Sequence, residues 1–282
     1  LNLKTFSNMF DLQNKDCIDG MKDMAESSVD LTVTSPPYDK LRNYKDSLKW
    51  NQEIWETIID ELYRVTKDGG VVVWVVGDAT VKGSETGSSF KQALYFMQAG
   101  FKLHDTMIYE KSGVTPSKTR YYPAFEYMFV FSKGKVKTHN PIKIDCLHAG
   151  LQLNGTTYKN YSKGEQKRGK MAKPVKKQKI KGNIWEYVVG KKKEDQEAKG
   201  HPAPFPCALA RDHINSWTNE GDVVLDPMNG SGTTCISALK LGREYIGIDM
   251  SKEYCDLARN RISEYEKQPR LFKEESTAYN TV

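Results

Sequence analysis

The chain is expected to fold as an α/β domain around an open, mainly parallel sheet, and three observations lead there. Apolar runs of strand length alternate with segments apolar at helical spacing, the pattern of β and α elements taking turns along a chain. Two of the runs, Val29 to Val33 and Val223 to Leu225, empty into turn-forming segments, Thr34-Ser35-Pro36-Pro37-Tyr38 and Asp226-Pro227-Met228-Asn229-Gly230-Ser231-Gly232-Thr233-Thr234. Between them, residues 133–200 lose the alternation and turn basic.

Val29 to Thr34 reads as a buried strand. Gln52 to Val65 is apolar at Ile54, Trp55, Ile58, Ile59, Leu62 and Val65, which is helical spacing, and Gly69-Gly70 should break that helix. Val71 to Val76 is a continuous apolar run, the signature of a strand covered on both faces. Ser88 to Ala99 supplies a second helix, ended by Gly100. Lys102 to Tyr109 and Phe125 to Phe131 read as a strand pair, and the turn-rich stretch from Ser112 to Tyr122 between them is long enough to be functional.

In residues 133–200 Lys, Gly, Asn and Thr dominate, and only Ile142 to Leu147 and Ile184 to Val189 are apolar. Regularity returns after the rigid segment His201-Pro202-Ala203-Pro204-Phe205-Pro206, with a helix at Cys207 to Trp217 and a strand at Val223 to Leu225. A helix at Thr233 to Leu241, a strand at Tyr245 to Ile248 and a helix at Lys252 to Tyr265 complete the pattern. If this C-terminal unit lies beside the N-terminal one, the sheet is assembled in permuted order, which chain termini lying close together would allow. The expected division is 1–132, 133–200 and 201–282.

The net charge of +6 is unevenly placed. Residues 133–200 hold 18 Lys and Arg against 6 Asp and Glu, leaving the rest with 24 basic against 30 acidic side chains. A mildly acidic body with a basic patch is the footprint of a polyanion binder. Taken alone, such a charge run is more often a solvated lysine-rich loop. Beside Thr34 to Tyr38, a segment with the polar and aromatic makeup to grip a planar base, double-stranded DNA is the expected partner, with Lys176, Lys177 and Lys179 as phosphate contacts. No apolar run approaches the roughly 20 residues that span a bilayer, and no secretory signal is visible at Leu1-Asn2-Leu3-Lys4, so a cytoplasmic protein is expected. The five cysteines are scattered without a C-x-x-C pair, as suits reduced thiols. Cys146 and His148 are half of a metal site at most, and no metal is expected.

Asn229 to Gly232, between a strand and a helix, forms a tight turn where missing side chains let the backbone approach a ligand. The helix beginning near Thr233 points free N–H groups at the same place. Asp249 ends the next strand, where a carboxylate suits the two hydroxyls of a ribose. These features alone specify a nucleoside-containing cofactor.

In the first segment, Ser35 offers a hydroxyl oxygen and Pro36 a carbonyl held by two consecutive prolines. Such acceptors can draw a conjugated amine towards a tetrahedral form and receive its developing positive charge. Tyr38 offers a flat face for a base taken out of a duplex.

The two segments together resemble the β group of DNA amino-methyltransferases, in which the catalytic motif precedes the cofactor motif. The resemblance covers nearly the whole chain outside 133–200. It implies a Rossmann-like sheet of the class I methyltransferase type in permuted order, with the basic region recognising the target, and S-adenosyl-L-methionine as cofactor. It implies that Asp249 holds the ribose, that Asp16 and Cys17 lie near the adenine, and that Gly230, Gly232, Thr233 and Thr234 face the methionine part. Asp226 and His201 match the family's pattern, while Met228 stands where Phe is usual, a departure that an adaptable apolar side chain should tolerate. Ser-Pro-Pro-Tyr is commoner in cytosine-N4 enzymes and Asp-Pro-Pro-Tyr in adenine-N6 enzymes, so cytosine N4 is the expected target, with adenine N6 the alternative. A cognate restriction endonuclease is a further partner that the resemblance allows. A non-catalytic DNA-binding module would leave both motifs idle. A nicotinamide oxidoreductase gives Ser35 to Tyr38 no role, and amide methyltransferases with Asn-Pro-Pro-Tyr usually carry the motifs in the opposite order.

Overall fold

The computed structural model describes residues 10–37, 50–111, 118–151, 174–188 and 206–267. In chain order the elements are β1 (Phe10–Asn14), α1 (Cys17–Lys22), β2 (Val29–Thr34), α2 (Gln52–Val65), β3 (Thr66–Val76), β4 (Thr80–Val81), β5 (Ser84–Glu85), α3 (Ser88–Gln98), β6 (Lys102–Lys111) and β7 (Phe125–Ser132). They continue with β8 (Lys143–Asp145), β9 (Gln178–Ile180), β10 (Ile184–Tyr187), α4 (Cys207–Trp217), β11 (Val223–Asp226), α5 (Thr233–Lys240), β12 (Glu244–Asp249) and α6 (Lys252–Lys267). The chain divides into two compact units, Leu1–Asn140 with Asn183–Val282, and Pro141–Gly182.

The larger unit is built on a sheet in the order β1-β12-β11-β2-β3-β7-β6-β10. All neighbours are parallel except β7, which is antiparallel to both β3 and β6. The C-terminal strands β11 and β12 stand between β1 and β2, so the permuted order expected from the sequence is present. β2 and the stretch from Val71 to Val76 are buried along their whole length, because helices cover both faces. Helices α1, α2 and α3 seal one face around Trp55, Ile59, Leu62, Trp74, Phe96 and Phe131. On the other, α4 packs on β2 and β3, α5 on β11 and β12, and α6 on β1 and β12.

Helix α2 starts where Asn51 Oδ1 accepts the Ile54 N–H at 3.0 Å, and it ends at Val65, earlier than Gly69-Gly70. At that end the Lys133 ammonium donates to the carbonyls of Tyr63 at 2.8 Å and Thr66 at 2.9 Å, which stabilises the negative end of the helix. The chain then enters β3 directly, and Lys67 to Gly70 form a bulge, since Val29 opposes Thr66 but Leu31 opposes Val71.

The smaller unit holds an antiparallel pair, with Lys143, Ile144 and Asp145 opposite Ile180, Lys179 and Gln178. It is narrower than the expected 133–200. Residues up to Asn140 belong to the larger unit, where the Asn140 N–H donates to Ser216 O at 2.8 Å. So does β10, because its aromatic side chains need cover: Trp185 stacks on His213 at 4.9 Å and the Tyr187 hydroxyl donates to Asp212 at 2.9 Å. His213 is fully buried, and desolvation pushes it down to about 3, so the ring is neutral.

Gly247 lies in β12 beneath the turn that follows β11. A Cβ there would stand 2.7 Å from Asn229 Oδ1 and 2.7 Å from Leu12 Cδ2. Gly247→Ala is therefore expected to lower stability by about 1–3 kcal/mol through overpacking. A shifted urea midpoint at unchanged slope checks this, and an unmoved midpoint contradicts the packing.

Candidate active site

Where β11 meets β2, the chain continues from β11 towards β12 on one side and from β2 towards β3 on the other. The crevice outside the carboxyl ends of strands at such a switch point is where open α/β sheets bind ligands. Both segments singled out in the sequence emerge there. Thr34 closes β2, and its hydroxyl donates to Asp226 Oδ1 at 2.7 Å, joining residues far apart in the chain. The Thr234 hydroxyl, on the first turn of α5, donates to Val33 O at 3.1 Å. The Met228 N–H donates to the same Asp226 oxygen at 3.1 Å.

Asp226 is buried, and burial pushes its carboxyl up to about 6; the hydrogen bonds from Thr34 and the Met228 N–H act in the opposite direction. Ser35, half-buried, and Pro36, buried, follow Thr34 directly. Tyr38 lies outside the described residues, as does His201.

The turn after β11 is pinned at several points. The Asn229 N–H donates to Ile248 O at 2.9 Å, and the Gly230 N–H donates to Asp249 Oδ2 at 2.8 Å. The other oxygen of Asp249 accepts the Ser251 N–H at 2.8 Å. Each oxygen keeps acceptor capacity beyond these bonds. Burial raises the Asp249 carboxyl above the ordinary range, against the pull of its two backbone donors.

Gly232 has φ +79°, and a Cβ on it would stand 2.7 Å from Ala258 Cβ of α6. The missing side chain at this position makes room for a helix rather than for a ligand. Gly232 caps α5 without a side-chain acceptor, so the N–H groups of the first turn, from Thr233 onward, are not capped by a side chain. The Thr233 hydroxyl lies 3.4 Å from Arg261 Nη1 and so faces α6.

Asp16 and Cys17 reach the same edge of the sheet through β1. The Lys15 N–H donates to Asp249 O at 3.1 Å, and Asn14 Nδ2 donates to Met250 O at 2.8 Å, tying β1 to the end of β12. Asp16 Oδ1 accepts the Ile18 N–H at 2.8 Å and thereby caps α1. Burial, with Asp16 beside it, pushes the Cys17 thiol up to about 12, so it is no nucleophile. Cys17 and Met228 both pack against the core under α1 and α2.

The structure thus brings Ser35, Pro36, Asp226, Met228, Gly230, Thr234 and Asp249 to one edge of the sheet, with Asp16 and Cys17 beside them. Lys176, Lys177 and Lys179 belong to the smaller unit, exposed on and before β9. Among the described residues no three His, Cys, Asp or Glu side chains are grouped to hold a metal ion, and no helix is long and apolar enough to cross a membrane. Sequence reading passed over Thr34, Asn14 and Arg261. Arg261 is buried on α6 and donates to Ser231 O from behind the turn; a lone arginine in an amphipathic helix gave no signal of this.

Between its ordinary 3.8 and about 6, the folded chain holds a proton on Asp226 that the unfolded chain has lost. This group's contribution to stability therefore falls as pH rises through that window. Asp226→Asn removes the slope, so the variant is expected to gain on wild type by up to about 3 kcal/mol between pH 4 and 7. Urea midpoints across that range read the difference; one independent of pH contradicts the raised carboxyl.

The N6/N4-type family described as DNA methylase matches residues 29–260. The orphan methyltransferase M.BamHII of Bacillus amyloliquefaciens is 52% identical over 252 residues, covering 86% of this chain and 92% of that protein. Among solved structures, the cytosine-N4-specific PvuII DNA methyltransferase superposes with a TM-score of 0.68 at 21% identity, over 91% of this chain and 87% of that one. The M1.HpyAVI–SAM complex superposes with a TM-score of 0.57 at 24% identity, over 90% and 100%. These two likenesses carry the fold. Because the family match spans both the Ser35 turn and the Gly230 turn, and the M.BamHII likeness runs through most of both chains, the chain belongs to the DNA methylase family of N6/N4 methyltransferases.

Proposed function

We propose that the protein transfers a methyl group from S-adenosylmethionine to the exocyclic amine of a base flipped out of double-stranded DNA, with cytosine N4 as the target. The observation that carries this reading is the direct bonding of the Ser35 strand end to the Gly230 turn through Thr34–Asp226 and Thr234–Val33. A base amine at Ser35 and a nucleoside cofactor at Gly230 would then be neighbours, and positioning is most of what such a reaction needs.

The residues present fit that cofactor. Asp249 offers carboxylate acceptors to the ribose hydroxyls, and the α5 N-terminus, free of a side-chain cap, offers N–H groups to a carboxylate. Asp16 and Cys17 would border the adenine, while Gly232 and Thr233 would shape the turn from behind. When bound, the sulfonium supplies an activated methyl group with a good leaving group. The chain's part is to hold the amine: the Pro36 carbonyl and the Ser35 hydroxyl oxygen accept its two N–H bonds as positive charge develops on nitrogen. Once methylated, the amine would carry a surplus proton, which the Ser35 and Pro36 oxygens would accept by hydrogen bond and pass to water. Tyr38 would stack on the base, and Lys176, Lys177 and Lys179 would bind phosphates.

The choice of cytosine rests on serine at position 35. Adenine N6 remains the second reading, since both amines pose the same problem. The name of the 52% relative favours an enzyme that works without a partner nuclease.

Incubation with labelled cofactor and mixed DNA, followed by nucleoside mass spectrometry, is expected to yield N4-methylcytosine. N6-methyladenine would overturn the base assignment, and no methylated nucleoside would overturn the activity. Ser35→Ala is expected to bind DNA and cofactor nearly as wild type and to lose at least about tenfold in single-turnover rate. Asp249→Ala is expected to weaken S-adenosylmethionine binding in titration calorimetry at least about tenfold, and unchanged affinity would remove it from the cofactor site.

A further inference from the structure

Residues 36 and 37 are both proline, so neither has an N–H with which the turn after β2 could tie itself down. Two residues before this proline pair, at the end of β2, stands Thr34. It is fully buried, its β-branched side chain is stiff at the first torsion, and its hydroxyl donates to Asp226 Oδ1 at 2.7 Å. The backbone one residue earlier is held by Thr234 at Val33 O, 3.1 Å away. The strand end from which Ser35 and Pro36 leave the sheet is thus tied, at Thr34, to the turn that opens the cofactor segment.

We propose that Thr34 is a positioning residue for methyl transfer: its hydroxyl, donated to Asp226, aims the Ser35 hydroxyl and the Pro36 carbonyl at the amine. This rests on the roles given to Ser35 and Pro36 above. Thr34 touches neither substrate nor cofactor in this account; it acts through the two residues that follow it.

The bond should respond to pH. A carboxylate accepts a hydrogen bond about twice as strongly as a neutral group. Burial places the Asp226 carboxyl at about 6, and among the described residues the titratable groups facing it are Asp249 from β12 and Cys235 from α5. Asp249 raises the Asp226 carboxyl further, and burial keeps the Cys235 thiol protonated well above neutral pH. As pH falls through about 6, Asp226 takes up a proton, its hold on Thr34 loosens and turnover declines.

The test uses the full chain, S-adenosylmethionine and a duplex carrying a site mapped by sequencing methylated DNA, with single-turnover rates from pH 5 to 8. Wild type is expected to show an acid limb near pH 6. Thr34→Val keeps the shape and removes the donor. It is expected to lose at least about tenfold in rate at pH 7.5, to keep cofactor and DNA affinities within about threefold, and to lack the acid limb. Thr34→Ser restores both rate and limb. Asp226→Asn keeps an acceptor but cannot titrate, so it too lacks the limb, and it carries the test if Thr34→Val does not fold. A wild-type rate in Thr34→Val, or an unchanged acid limb in Thr34→Val or Asp226→Asn, overturns the proposal. Failure of wild type to methylate any DNA overturns the functional reading itself, a distinct result.

Discussion

A buried carboxylate at the point where two strands part company governs this molecule. Asp226 ends β11 with almost no access to water, a position that is costly for a charge unless donors surround it. Its donors come from the turn it opens and from the end of β2, and the Thr234 hydroxyl of α5 bonds to Val33 O beside them, so three segments meet at a single point. The desolvation is not fully offset, as its raised carboxyl shows. What the strain-free alternative, an apolar residue, would lose is the link between the Ser35 turn and the Gly230 turn.

The permuted chain makes that link necessary. β2 lies early in the sequence and β11 late, and they pair over a short register, Val224 with Leu31 and Leu225 with Thr32. Other contacts reinforce the seam at both ends. At the far end, Asp30 accepts the Val223 N–H at 2.9 Å and pairs with Lys67 at 2.6 Å. At the site end, Thr34 and Thr234 do the bonding. Each half of the sheet thus contributes one turn, and the site exists only when the halves are assembled.

Much of this was legible in the sequence, for identifiable reasons. β2, α2 and the Val71 to Val76 stretch are long and periodic, and burial enforces the pattern. β1 was missed because Phe10-Asp11-Leu12-Gln13-Asn14 is a mostly polar edge strand whose partner is far along the chain. β10 was placed with the basic region because its neighbours are basic, whereas Trp185 and Tyr187 bury against α4. Gly232 was legible as a glycine turn but not as the seat of Ala258, a contact that needs α6 in place. Thr34 looked like the last residue of a strand; its partner became visible only when residues 34 and 226 were side by side.

We propose that the Ser35 turn and the Gly230 turn form one methyl-transfer site. A crystal structure with S-adenosylmethionine bound tests it most directly. The ribose hydroxyls are expected on Asp249 and the methyl carbon facing Ser35 and Pro36, with room for one amine nitrogen at roughly 3–3.5 Å from it. A cofactor bound with its methyl group turned away from Ser35, or seated without contact to Asp249, would contradict it.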